Sequence, residues 1–237
     1  MRTINSYIAL AVLAATLSAS LWSAPVLANA PQDDLKAVLD KMNAKASSVK
    51  KAKADFEWDV FTAVVKQTDV QTGEIYFRRG SGGPASDALA IKVVTPAPMH
   101  IVVANGKFSK YEPKIDQRTE GVISKDRADW EQIMRLGFGS RGSELQASFE
   151  VKLLSWEKVD DVNTAKLELV PTLPSFQKAF KNVYLWIDTD KDIALKLQFF
   201  QASGDYRLVH NKNIVLNEKI PDNMFQMEHT NNIVVIH

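Results

Sequence analysis

Apolar residues recur along this chain in two periods. Leu35, Val38, Leu39, Met42, Ala46 and Val49 fall at helical spacing, with Lys36, Asp40, Lys41 and Lys45 mostly on the other side. Asp33 or Asp34 can cap the start, and the pattern predicts a core-facing helix that ends near Lys53. Beyond it the period drops to two. Phe56, Trp58, Val60 and Val64 share a face against Asp55, Glu57 and Asp59, and Ile75, Phe77 and Arg79 share a face against Glu74 and Arg78. The alternation returns at Phe149, Val151 and Leu153, at Leu167 and Leu169, and from Ile193 to Phe199. Strands that are apolar on one side and polar on the other predict an antiparallel sheet wetted on one face.

Turn residues separate these runs at Gln71-Thr72-Gly73, Asn105-Gly106, Asp160-Asp161, Asp188-Thr189-Asp190 and Ser203-Gly204-Asp205. Short helices are predicted over Asp126 to Leu136, around Glu144 to Ser148, and from Pro174 to Phe180. No repeat, low-complexity tract or linker divides the chain, and Ser81-Gly82-Gly83-Pro84 reads only as a connection between strands. The mature protein is expected to form one domain over residues 29–237.

Residues 1–28 read as an export signal. Arg2 gives a positive start, Ile8 to Leu21 form a short apolar run, and Val26-Leu27-Ala28 places small residues at a cleavage site. Cleavage after Ala30 would set Pro31 directly behind the scissile bond, so the cut is expected after Ala28. The chain has no cysteine, hence no disulfide and no site for a lipid anchor, and a soluble periplasmic product is expected. Removing the signal takes away one cation and no acid, leaving 28 basic and 28 acidic residues. A neutral chain has no electrostatic footprint for nucleic acid or for an anionic membrane surface.

Catalytic patterns fail on their own chemistry. Gly137-Phe138-Gly139-Ser140-Arg141-Gly142 matches G-x-G-x-x-G, but it lacks the preceding strand and the long following helix that would cradle a pyrophosphate. It reads as a hinge between short helices. Asp188-Thr189-Asp190-Lys191-Asp192 starts like a calcium loop, yet Ile193 stands at the sixth position and Phe199 at the twelfth, so a polar turn is expected. His100, His210, His229 and His237 are scattered without metal-site spacing. No nucleophile elbow is present. The expectation is a protein that is no enzyme, with no metal and no cofactor.

What remains is apolar surface: eleven Phe, and four Trp and five Met once Met1 and Trp22 have left with the signal. The same residues suit either a filled core or a cavity between sheet and helices. In the second case Phe56, Trp58, Ile75, Phe77 and Leu89 line the sheet face, and the helix bearing Leu35, Val38, Leu39 and Met42 acts as a lid. Arg79 continues the apolar face of Ile75 and Phe77. It can snorkel to water, or reach across the rim to the last carbonyls of a covering helix.

The succession of short motifs resembles a known family. The helix is followed by Ala54-x-Phe56-x-Trp58, Gly73-x-Ile75-Tyr76-Phe77-Arg78-Arg79, Asn105-Gly106-Lys107 and Tyr111-x-Pro113. Then come Leu167-x-Leu169-x-Pro171, Leu185-Trp186-Ile187-Asp188, Ser203-Gly204-Asp205, and Asn217 before Ile220-Pro221-Asp222 and Phe225. In order and over nearly the whole mature chain, these resemble the periplasmic outer-membrane lipoprotein carriers, the LolA-like proteins. The resemblance implies a mainly β (α+β) fold, an incomplete antiparallel barrel of about eleven strands lidded by helices over an apolar cavity. It also implies a monomeric carrier that takes acylated lipoproteins from an inner-membrane exporter to an outer-membrane acceptor. The family's lid-latching arginine falls on Arg79. Where the family has proline after that arginine this chain has Gly80-Ser81-Gly82-Gly83, and Ala88, Leu89 and Ala90 replace expected aromatics. Relatives of the same fold carry glycolipids or other lipids, or sense envelope stress, which is the alternative reading.

Overall fold

The computed structural model describes residues 31–82, 86–122 and 136–236. Helix α1 (Pro31–Lys45) and a 3-10 turn (Ala46–Ser48) lead into β1 (Lys51–Thr62) and β2 (Gln67–Arg78). Then follow β3 (Ala88–Thr95), β4 (Met99–Ala104), β5 (Lys107–Glu112) and β6 (Gln117–Val122). Helix α2 (Gly142–Ser148) precedes β7 (Phe149–Val159) and β8 (Val162–Pro171), and α3 (Pro174–Ala179) precedes β9 (Asn182–Asp188). The series closes with β10 (Ile193–Phe200), β11 (Tyr206–Leu216) and the short β12 (Ile233–Ile236). The helix expected over 126–136 lies almost wholly outside the described residues, as does the expected export signal.

All twelve strands join one sheet in the order β12-β6-β5-β4-β3-β2-β1-β11-β10-β9-β8-β7. Every pair is antiparallel except β12 with β6. The sheet does not close, because β12 and β7 stay at opposite edges. The fold is therefore mainly β and an incomplete barrel with helices, as expected, with β12 the strand beyond the eleven. Two turns show their chemistry directly. Asn105 and Gly106 (φ 51° and 70°), and Asp160 and Asp161 (φ 48° and 64°), supply the paired positive φ values of tight hairpins.

Two boundaries differ from the periodicity. The first helix stops at Lys45 rather than near Lys53, because Lys51 already pairs with Arg78 in the sheet. The Asn217 side chain secures that change of direction. Its oxygen accepts from the Lys50 and Lys51 amides at 2.8 and 3.2 Å, and its nitrogen donates to the Ser48 carbonyl at 3.0 Å. Val64 leaves the face of Phe56 and Trp58, because the strand ends at Thr62 and the turn leaves Val64 90% exposed.

The sheet register defines two faces. Ala54, Phe56, Trp58 and Val60 on β1 share the inner face with Ile75 and Phe77 on β2, Leu89, Ile91 and Val93 on β3, and Ile101 and Val103 on β4. Over β7 to β10 this face is filled. Val38, Leu39 and Met42 of α1 join Leu145, Phe149, Leu167, Leu169, Phe176, Val183, Leu185 and Leu197 in one buried cluster. α1 and α2 meet closely at Gly142, where a Cβ would stand 2.6 Å from the Leu39 carbonyl oxygen. The outer face is covered over β2 to β4 by the segment after β11. Its Ile220, Met224, Phe225 and Met227 pack on Tyr76, Ala90 and Val102.

Candidate functional site

On β1 to β5 the inner face is apolar and only half covered. Trp58, Ile75, Leu89, Ile91, Met99, Ile101, Val103 and Phe108 are all half-buried, whereas their outer-face neighbours Tyr76, Ala90 and Val102 are buried beneath the C-terminal segment. Alternation places these side chains here, since each strand turns every second residue inward and adjacent strands stay in register. The result is a largely apolar surface several strands wide, interrupted by Gln71 and Lys110 and bordered by the packed half of the molecule.

The residues expected at the site fall into three groups. Trp58, Ile75 and Leu89 stand on the half-covered surface. Phe56 and Phe77 are buried at its inner border, 4% and 0% exposed, with Phe77 stacked on Phe138 at 5.5 Å between ring centroids. Val38, Leu39 and Met42, with Leu35 packed beside them, cover the β7 to β10 half rather than the strands that carry Trp58 and Leu89. Ile91, Met99, Ile101, Val103 and Phe108 were not among the expected residues. Their signal is legible in retrospect as the alternation Leu89-x-Ile91-x-Val93 and Met99-x-Ile101-x-Val103.

Arg79 sits where β2 ends and bridges two covering segments. Its Nε donates to the Val49 carbonyl at 2.8 Å, just past the turn that extends α1. Its Nη2 donates to the Gly139 carbonyl at 2.9 Å and lies 3.4 Å from that of Phe138. Gly139 is required for this approach, since its φ is +72° and a Cβ would stand 2.6 Å from the arginine nitrogen. The glycine-rich segment is no loose hinge. Gly139 donates its amide to the Asp192 carbonyl, Ala194 donates to the Gly137 carbonyl, and Phe138 forms a bridge with Ile193.

Close to Arg79 lies an unusual carboxylate. Asp192 is 1% exposed and neither side-chain oxygen has a hydrogen-bond partner. Loss of solvent pushes its pKa up to about 7; the Arg79 charge opposes the rise and the Glu144 charge adds to it. The expected polar turn at Asp188–Asp192 is present, with the Asp188 carboxylate accepting from the Asp190 and Lys191 amides. Yet Asp188, Thr189 and Asp192 are buried rather than solvated.

Two clefts, of about 510 and 460 Å³, open on the outer face among lysines and carboxylates such as Lys53, Asp55, Lys212 and Asp160. The second is also walled by Val162, Ile193, Leu195, Ile214 and Leu216. Among the described residues there is no group of three or more metal-ligating side chains, and no helix long and apolar enough to cross a membrane.

No family model and no curated protein matches the sequence. The structure superposes on an uncharacterized conserved protein from Thermus thermophilus with a TM-score of 0.54 at 8% identity, covering 86% of this chain and 99% of that one. It superposes on MucB with a TM-score of 0.53 at 14% identity, covering 85% of this chain and 66% of MucB. A LolA superfamily protein, NE2245 from Nitrosomonas europaea, aligns with a TM-score of 0.38 at 14% identity over 81% of this chain and 97% of that one. The fold is shared with the Thermus thermophilus protein and with MucB. At these identities the fold is what is shared, and the sheet must be read for function from its own side chains.

Proposed function

We propose that this chain is a periplasmic carrier that shields the acyl chains of lipoproteins on its inner sheet face and delivers them toward the outer membrane. The observation that carries the reading is the apolar, half-covered surface from Trp58 to Phe108, on a protein whose other half buries Leu167, Leu169, Val183 and Leu185 completely. A three-chain anchor has on the order of 45 methylenes, and at about 0.8 kcal/mol each its transfer to water costs on the order of 35 kcal/mol. A carrier must offset most of that and still release its load. A broad sheet face beside helices held at the rim by Arg79 suits both demands. In this reading residues 1–28 are removed on export, and the partners are an inner-membrane exporter and an outer-membrane acceptor.

A second reading, a same-fold binding protein for another lipid or for a regulatory partner, is favoured by the likeness to MucB and by the glycines that replace proline after Arg79. Native mass spectrometry of protein taken from the periplasm separates the two. Acylated protein on the carrier supports the first reading and free lipid the second. A ligand-free protein that also fails to bind a hydrophobic dye overturns both.

A further inference from the structure

One end of the apolar face carries two hydrogen-bond donors without acceptors. The Trp58 indole nitrogen is buried and has no partner. Such a donor is costly to leave unmade, and native structures keep one only for a reason. Over the same ring lies the Arg207 guanidinium, its central carbon 5.7 Å from the ring centroid. The register explains the meeting: Trp58 pairs with Val209 and Val60 with Arg207, so both side chains rise from the inner face on neighbouring rows.

Arg207 is exposed and makes no ion pair with another described residue. Several other cations of the sheet are engaged: Lys53 with Glu74, Lys212 with Glu57, and Lys110, also on the inner face, with Glu112 at 2.7 Å. Arg207 instead stands between Phe199 and Val60. The acid of its row, Asp69, lies beyond Val60, about 10 Å away at two strand spacings, and accepts from Gln67. An unpaired guanidinium and an orphaned indole N–H, side by side at the border of a hydrocarbon surface, are complementary to an oxyanion attached to a hydrocarbon chain.

We infer that Trp58 and Arg207 form the polar anchor of the inner face, binding the phosphate or carboxylate head of an anionic amphiphile whose chain runs over Ile75, Ile91 and Ile101. This rests on the carrier reading and adds to it a class of head group. Ile75 lies two rows from Trp58 through Phe56 and Gly73, so a chain of ordinary acyl length spans the distance.

The test titrates the full mature chain with dodecyl phosphate, dodecyl maltoside and inorganic phosphate by calorimetry, below the detergents' micelle concentrations. Dodecyl phosphate is expected to bind at least about tenfold tighter than dodecyl maltoside. Arg207→Gln should abolish that preference, and Trp58→Phe should reduce it several-fold. Equal affinity for the two heads in the parent protein, or a preference that survives Arg207→Gln, overturns the anchor and leaves the carrier reading standing. Inorganic phosphate binding as tightly as dodecyl phosphate overturns the amphiphile and assigns the pair to a free anion. If neither detergent binds, the carrier reading fails and the anchor with it.

Discussion

A carboxyl group taken out of water with no donor to meet it holds its proton, and Asp192 is in that position beside the Arg79 latch. Its folded pKa, about 7, lies above the unfolded value near 3.8, so the native state binds more protons between those limits. Stability is therefore gained below about pH 4 to 7 and lost as pH rises through that window, by at most roughly 4 kcal/mol. Asp192→Asn keeps the shape, tolerates the φ of 57°, and removes the charge. We expect it to raise the urea midpoint most at pH 8, by less at pH 5, and to flatten the profile between. Parallel profiles for parent and variant would show that Asp192 does not titrate in this range. Glu157 works in the opposite direction on the outer face. The Trp186 indole N–H at 2.7 Å, with Ser155 and Lys166, lowers its pKa to about 2. Its contribution is present above about pH 4.5, is lost as pH falls toward 2, and is small because the side chain is 39% exposed. None of this was legible locally. Asp188-Thr189-Asp190-Lys191-Asp192 has the composition of a solvated turn, and only the arrival of Phe138 and Gly139 from far along the chain takes Asp192 out of water.

At the scale of elements, two adjacent arginines hold covers on opposite sides of one strand. Arg79 ties β2 to the end of the α1 segment and to the 138–139 segment on the inner face. Arg78 faces outward, bonded to Asp222 at 2.7 Å with its guanidinium 4.3 Å from the Phe225 ring centroid, and so pins the C-terminal segment. His100 adds to that pin. Its Nδ1 faces the Glu228 carboxylate at 3.0 Å and its Nε2 the Met224 carbonyl at 3.2 Å. Arg79→Leu should leave the protein folded but speed amide exchange around residues 46–49 and 138–142. A bond from a charged donor contributes about 1.5–3 kcal/mol, which is roughly ten- to a hundredfold in opening. Arg79→Lys should do part of the same, because an ammonium lacks the planar fork that spans two carbonyls. Arg78→Leu should instead loosen residues 220–228 and leave the inner face as it was. If Arg78→Leu opens the inner face and Arg79→Leu does not, the latch has been placed on the wrong side. Period-two alternation made the opposite facing of these arginines legible, and the 3.6 period made α1 legible. Which half of the sheet α1 covers was not, because an apolar stripe records that it is buried and not against what.

Across the whole molecule, the two halves of one sheet have been finished differently. β7 to β10 lie under α1, α2 and α3 with Leu167, Leu169, Val183 and Leu185 all 0% exposed, whereas Ile75, Leu89, Ile91, Met99, Ile101, Val103 and Phe108 on the inner face of β2 to β5 keep part of their apolar surface in water. The packed half supplies the stability that lets the other half forgo it, which is the arrangement a carrier of hydrocarbon requires. The division was only partly legible in the sequence. The alternating strands and the family resemblance both led to an open sheet, but filled and unfilled faces read alike as strings of Leu, Ile, Val and Phe. Mutation separates them. Leu167→Ala opens a cavity among residues that cannot collapse around it and should cost about 2–5 kcal/mol. Ile101→Ala removes a side chain already half in water, with no enclosed cavity left behind, and should cost about 1 kcal/mol. Ligand affinity should show the reverse order, falling clearly for Ile101→Ala and hardly at all for Leu167→Ala at temperatures where both remain folded. Urea unfolding and binding of a hydrophobic dye, measured on the two variants together, give the comparison. Equal losses of stability would mean that β2 to β5 are as tightly packed as the rest. The inner face would then be a core and not a site.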